Sequence, residues 1–342
     1  MNARTVTIVG AGSWGTTLAI RLARRTAKLR TGRVILYEFF PDVAREMKHR
    51  RTNRLFLPGF RFPRSLEISN NLKDCFRQSG LLFNAVPTQF IRNVWSTLDP
   101  GADIWRDQCL VNVSKGIEIK TGRTISQLFR ELIPSLDQTR YAVLSGPSHA
   151  EEVIRDIPTA AVVAGSGTLP KQIQQFVSDR TFRLYTNEDV IGVEMGGALK
   201  NCIAIAAGIC VGLGFGDNTL AAILTRGLAE ITRLGVACGA RRDTFAGLAG
   251  LGDLVVTCAS RHSRNRRFGE LLAGGRSRQW IEKNHRFVAE GVATSTAAVR
   301  LARRERVEIP IIEEVHRILY RRKSVRRAVE SLLARPFRME RV

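Results

Sequence analysis

A chain of 342 residues, 44% of them hydrophobic, is long enough to bury a core in each of two domains, so it reads as globular. Its 53 Lys and Arg against 31 Asp and Glu leave a net charge of +22, which favours anionic partners without choosing among phosphorylated metabolites, nucleotides, nucleic acid and acidic membranes. Six widely separated cysteines without a CxxC suit a reducing cytosol, and five scattered histidines without ligand spacing give a metal site no support.

The start, "MNARTVTIVGAGSWG", has no apolar stretch leading to a small-residue cleavage site, so no signal segment is expected. Short β-branched runs then alternate with charged or amphipathic stretches, the pattern of a parallel sheet with helical crossovers. Candidate strands are "VTIVG" (6–10), "RVILYE" (33–38), "GLLFNAV" (80–86), "CLVNVS" (109–114), "YAVLSG" (141–146), "TAAVVAG" (159–165) and "FRLYT" (182–186). From Asn187, a good N-cap followed by Glu188 and Asp189, the texture turns to long Ala/Leu/Ile helices, which places the domains at 1–188 and 189–342. The longest apolar run, 201–216, is short of the ~20 residues of a membrane span and dense in glycine, so no span is expected. The last helix carries Val325, Ala328, Val329, Leu332 and Leu333 on one side and basic residues on the other, which reads first as a solvated basic face, with membrane or nucleic-acid contact as the alternative.

"GAGSWG", Gly10 to Gly15, follows the first strand and opens a helix, the order of a dinucleotide-binding fingerprint. Gly10 permits the turn, Gly12 lets the backbone approach a pyrophosphate, and Gly15 lets strand and helix pack closely. Glu38 ends the next strand where an acid would hold a ribose 2′-hydroxyl and repel a 2′-phosphate, so NAD is favoured over NADP.

Three further polar groups stand at the ends of strands or in glycine-rich turns. "NVSKGIE" carries Lys115 and Glu118; "LSGPSHAEE" carries Gly146, Ser148 and His149; "GLAGLGDLVVTCASRHSRNRRFGE" carries Asp253, Thr257 and the cluster Ser263, Arg264, Asn265, Arg266, Arg267. The cluster offers forked and neutral donors to a phosphate, or else surface charge. Lys115 and Asp253 read equally as an exposed lysine and a turn residue. Lys200 is different, because "MGGALKNCIAIAAG" buries whatever it contains, and burial beside another cation moves a lysine toward proton transfer at working pH.

In this order the motifs resemble the NAD(P)-dependent glycerol-3-phosphate dehydrogenases, in particular the soluble bacterial enzymes. The match runs through "GAGSWGTTLA", "NRLFLPG", "VPTQFI", "SKGIE", "LSGPSHAEE", "IGVEMGGALKNCIAIAAGI", "GLGFGDNTLAAILTRGLAEI", "GLAGLGDLVVTCASRHSRNRRFG", "VAEGVATS" and "EIPIIEEVHRILY", nearly the whole chain. The resemblance implies a Rossmann-like doubly wound domain followed by an all-α domain, a cytoplasmic homodimer, and hydride transfer between NAD or NADP and dihydroxyacetone phosphate or sn-glycerol 3-phosphate, supplying phospholipid synthesis. It implies Lys200 as general acid/base, Lys115 and Asp253 beside it, and substrate contacts at Gly146, Ser148, Ser263, Arg264 and Asn265. On the cofactor side it implies Gly10, Gly12, Ser13, Trp14, Gly15, Glu38, Phe39, Phe90, Lys115, Ala150, Arg264, Val288 and Glu290. Ser148 and His149 depart from the usual Thr and Phe, the segment 25–33 is longer, and "YEFFPD" lacks the basic residue that often follows the second strand. A β-hydroxyacid dehydrogenase would share the Lys/Asn pair but not the "SRNRRFG" block, and no nucleic-acid module accompanies the charge.

Overall fold

The computed structural model describes residues 5–29, 32–99, 101, 103–285, 288–337 and 339–340. The start of the chain and Arg30 and Thr31 of the long first connection lie outside the described residues. The chain divides into two compact units, Met1–Ser114 with Ser126–Val190 and Lys115–Ile125 with Ile191–Val342. Lys115–Ile125, which sequence texture places in the first domain, thus packs with the second unit.

Among its described residues the first unit holds ten strands: β1 Thr5–Val9, β2 Arg33–Tyr37, β3 Thr52–Asn53, β4 Leu57–Arg61, β5 Leu66–Ser69, β6 Leu81–Asn84, β7 Cys109–Asn112, β8 Tyr141–Ser145, β9 Thr159–Gly165 and β10 Phe182–Asn187. Eight form one sheet in the order β10-β9-β8-β7-β6-β1-β2-β5, and β3 pairs with β4 apart from it. Residues of β1, β6, β7 and β8 are all buried, which is why these strands read as continuous apolar runs without alternation. Two features differ from the expected parallel sheet. β9 runs antiparallel to β8, because the chain between them returns through a single short helix, Ala150–Val153, without a full crossover. β5 is an edge strand of four residues with half its side chains turned outward, too short and too polar to stand out.

The sheet order places the functional end. From β1 the chain steps outward to β2 and β5, then returns to pair β6 with the other flank of β1. Loops leaving the carboxyl ends of β1 and β6 therefore diverge, and the crevice between such loops is where open α/β sheets bind ligands.

The second unit is helical and is built around the helix Val190–Gly212, buried at every position from Gly192 to Cys210. Among the described residues it alone has the length and hydropathy to cross a membrane, and it serves here as the core of the unit. Its neighbours approach at glycines: a Cβ at Gly208 would lie 1.9 Å from the Arg266 carbonyl oxygen, and one at Gly291 would lie 2.4 Å from that of Asn201. Asn187 precedes this helix as a turn residue at the end of β10, its Oδ1 accepting the Asp189 N–H at 2.8 Å, so the expected N-cap falls one turn early. The C-terminal helix Val325–Leu333 buries only Ala328 fully, with Val325 and Leu332 packed part-buried on the core.

Glu230, 2% exposed on the helix Asp217–Ala237, accepts the backbone N–H groups of Ile311 at 2.7 Å and Ile312 at 3.2 Å, at the start of the helix Pro310–Arg321. Burial pushes its carboxyl up to about 8 against these two donors. A raised carboxyl stabilises the fold fully below its ordinary value of 4.5, and that contribution drains away as pH climbs through 8. Glu230→Gln keeps an acceptor for Ile311 and removes the titration. Urea unfolding across this window should show the wild type losing on the order of a few kcal/mol relative to the variant. Parallel stability curves for the two proteins would contradict the assignment.

Candidate active site

In the first unit, β1 runs into the glycine loop and the helix Ser13–Leu29. Gly10 has φ of +112° and donates its N–H to the Tyr37 carbonyl at 3.1 Å; a Cβ on it would stand 2.8 Å from the Ala85 carbonyl that follows β6. A Cβ on Gly15 would lie 2.0 Å from the Gly10 oxygen, so neither glycine accepts a side chain. Gly12 is the opposite case, with no atom within 4 Å of a Cβ position. Open space at Gly12, a helix N-terminus without an acid in its first turn, and the switch point between β1 and β6 together fit a dinucleotide pyrophosphate.

The other first-unit candidates follow the carboxyl ends of β1, β2, β6 and β8. The Ser13 hydroxyl donates to the Phe56 carbonyl at 2.8 Å, and the half-buried Trp14 tilts against Phe182 at 6.1 Å. Glu38 is buried just beyond β2, accepts the Phe40 N–H at 3.0 Å, and has its carboxyl raised by burial. Phe39 and Phe90 are exposed aromatics beyond β2 and β6. Gly146, with φ of +137°, ends β8 and packs on Ala161; the Ser148 hydroxyl donates back to its carbonyl at 3.0 Å. Ala150 is buried, its carbonyl accepting the Thr17 hydroxyl from the first helix at 3.4 Å.

Lys200, Lys115 and Asp253 meet within the second unit. Lys200 is 5% exposed, and its ammonium donates to Asp253 Oδ1 and to the Thr257 hydroxyl at 2.6 Å. Lys115 donates to the other oxygen, Asp253 Oδ2, at 2.6 Å, with its side chain 21% exposed against 1% for Asp253. Asp253 opens the helix Asp253–Ala259 after the turn Leu248–Gly252, and Thr257, one turn on, donates to the Asp253 carbonyl at 2.6 Å. Burial pulls the Lys200 ammonium down to about 7, with Lys115 pulling the same way and Asp253 opposing. A proton on Lys200 is therefore poised to leave or return near neutrality. Sequence spacing marked Thr257 without a role; its place four residues after Asp253, on the same helix face, was the available signal. Glu118 is buried and accepts the Thr121 hydroxyl at 2.5 Å within its own loop.

A second polar group borders this one. Asn265 Nδ2 donates to Asn201 Oδ1 at 2.9 Å while Asn265 Oδ1 accepts the Gly291 N–H at 2.9 Å, so one buried amide ties three helices beside Lys200. Ser263 caps the helix Arg264–Ala273, accepting the Arg266 N–H at 3.2 Å. Arg266 and Arg267 pair with Glu270, whereas Arg264 stays exposed at the helix N-terminus and pulls on Glu290, whose carboxyl burial raises to about 7. Val288 is exposed just before Glu290. Among the described residues no three His, Cys, Asp or Glu side chains are grouped to hold a metal ion.

Residues 5–168 match the N-terminal and residues 189–330 the C-terminal family model of NAD-dependent glycerol-3-phosphate dehydrogenase. The chain belongs to this family. It is 45% identical over 339 residues to the glycerol-3-phosphate dehydrogenase [NAD(P)+] of Citrifermentans bemidjiense, covering 99% of both chains. It is also 45% identical over 333 residues to that of Chlorobium phaeobacteroides, covering 96% of this chain and 97% of the relative. The crystal structure of the Coxiella burnetii glycerol-3-phosphate dehydrogenase superposes with a TM-score of 0.91 at 35% identity, over 98% of this chain and all of that one. As a member of this dehydrogenase family the chain is an oxidoreductase that uses NAD or NADP.

Lys200→Ala removes the buried amine that is poised to exchange a proton near neutrality and leaves Lys115, Asp253 and Thr257 in the chain. In Lys200→Ala, kcat for glycerol 3-phosphate oxidation should fall by about 10²–10⁴ with a much smaller change in KM. Retention of near-normal kcat would remove Lys200 from the chemistry.

Proposed function

We propose that the chain catalyses the reversible reduction of dihydroxyacetone phosphate to sn-glycerol 3-phosphate, with Lys200 as general acid/base. The observation that carries this reading is the buried Lys200 ammonium shared between Asp253 and Thr257, with the Lys115 ammonium on the opposite oxygen of the same carboxylate. When bound, the nicotinamide supplies or accepts the hydride at C2. During reduction, Lys200 Nζ gives its proton to the ketone oxygen as that oxygen gains negative charge. Lys115 contributes a fixed positive charge that favours the developing alkoxide. Asp253 holds both ammonium groups in place and, being 1% exposed, does so with little competition from water. In the reverse direction the neutral Lys200 amine takes the hydroxyl proton. Arg264, at a helix N-terminus, is the group we assign to the substrate phosphate, with Ser263 and Asn265 shaping that end. Gly146 and Ser148 complete the substrate contacts in this reading.

On the cofactor side we assign the pyrophosphate to Gly10, Gly12, Ser13, Trp14 and Gly15. Glu38 and Phe39 take the adenosine end, and Phe90, Ala150, Val288 and Glu290 the remaining contacts. A carboxyl at Glu38 favours NAD, since a 2′-phosphate would meet an acid there. We further assign the chain to a cytoplasmic homodimer that supplies glycerol 3-phosphate to phospholipid synthesis.

A comparison of kcat/KM with NADH and NADPH tests reaction and cofactor together; NADH should be preferred, and a folded sample inert with both would sink the proposal. The two directions should also respond to pH with opposite sign. Reduction needs the Lys200 ammonium and declines as pH rises through about 7, whereas oxidation needs the free amine and declines as pH falls through about 7. Two profiles with the same slope across neutrality would rule out Lys200 as the titrating group.

A further inference from the structure

The helices Glu290–Arg304 and Pro310–Arg321 form a hairpin in the second unit, and the spacing of their polar residues builds a pocket that the proposed reaction does not use. On the first helix Thr296, Arg300 and Arg303 stand at i, i+4 and i+7; on the second, Glu313, Arg317 and Arg321 stand at i, i+4 and i+8. Each set therefore shares one helix face. The two faces line a concavity of about 510 Å³.

The charge in this pocket is unbalanced. Four guanidinium groups line it, and the nearby carboxylates of Glu313 and Glu314 both go to Arg317, which leaves Arg300, Arg303 and Arg321 without a carboxylate partner among the described residues. Glu313 is itself committed to Arg317 at 3.2 Å, and Arg317 also reaches Glu314 at 2.5 Å. Arg300 is anchored by Nη1, which donates to the Ile119 and Lys120 carbonyls at 2.9 and 3.0 Å, so its fork is held in one orientation. Arg303 and Arg321 have no carboxylate partner among the described residues.

Two neutral groups point to what would balance it. The Thr296 hydroxyl oxygen is buried in the pocket wall without a hydrogen-bond partner, an arrangement that is destabilising unless something else supplies one. His316 lines the same pocket, stacked on Tyr320 at 4.9 Å. Burial first, then Arg321, Arg303 and Arg317, hold its imidazole below its ordinary value, so its charged form is disfavoured amid the arginines. A compact dianion with several acceptor oxygens would engage the guanidinium forks, accept from Thr296, and draw a proton onto His316. A carboxylate offers only two oxygens and one charge.

We propose that this pocket is an anion site for a phosphate monoester, separate in its residues from the substrate-phosphate group at Arg264. The phosphate is either that of a soluble ion or metabolite or the headgroup of a phospholipid, since both present the same dianion. It also gives part of the +22 net charge a located task.

The test uses the full-length protein with isotope-labelled histidine, titrated with inorganic phosphate at constant ionic strength. His316 resonances should shift saturably and its titration should move to higher pH. In Arg303→Gln/Arg321→Gln the apparent affinity should fall about tenfold or more, with kcat for glycerol 3-phosphate oxidation unchanged as the check on folding. Thr296→Val should weaken binding to a smaller degree. A second arm offers phosphatidylcholine vesicles with and without phosphatidic acid. Arginine-dependent sedimentation with the phosphatidic acid vesicles assigns the site to a headgroup, and a response to soluble phosphate alone assigns it to a free ion or metabolite. If His316 answers neither probe, or answers identically in the arginine variant, the pocket is not an anion site.

Discussion

One carboxylate, that of Asp253, holds two ammonium groups in a place where neither would stay alone. Lys200 sits in a helix buried on every side, and an unpaired charge there would be several kcal/mol too costly. Asp253 offsets that cost from one oxygen and secures Lys115 with the other. The balance leaves Lys200 protonated or neutral according to small changes nearby, which is the property that proton transfer requires. Were the carboxylate stronger in its hold, the ammonium would keep its proton; without it, the amine would stay neutral.

Backbone packing makes this arrangement possible. Asp253 reaches Lys200 because the turn Leu248–Gly252 lies against the Lys200 helix at Gly196, where a Cβ would come within 2.6 Å of the Ala249 carbonyl oxygen. On another side Gly291 lies against Asn201, and the Asn201–Asn265–Gly291 bonds fix the helices that meet there. The small residues around Lys200 thus set the distance between helices, and that distance sets the charge geometry. The same logic governs the glycine loop of the first unit, where Gly10 and Gly15 admit close backbone contact and Gly12 leaves room for a phosphate.

Much of this was legible in the sequence because it rests on local constraints. The glycine fingerprint, the buried parallel strands and a lysine in an apolar helix each leave a mark within a few residues. Pairings between distant segments leave none. That Asn265 bonds Asn201, that Ser263 is spent capping a helix, and that Lys115–Ile125 packs with the second unit follow from tertiary arrangement. The reversal of β9 and the short edge strand β5 escaped because direction and edge position are set by neighbouring strands, which carry no periodic signal of their own. Glu38 shows the limit from the other side: its position was readable, but its bond to the Phe40 N–H and its burial were not.

The central claim is electrostatic, and it is open to direct measurement. Nitrogen-15 NMR of labelled lysine side chains, assigned through Lys200→Arg, would follow the Lys200 ammonium across pH in the wild type and in Lys115→Met. Lys200 should titrate near 7 in the wild type and at higher pH once the second ammonium is gone. A Lys200 that titrates in the ordinary lysine range, near 10.5, and is indifferent to Lys115→Met would contradict the account.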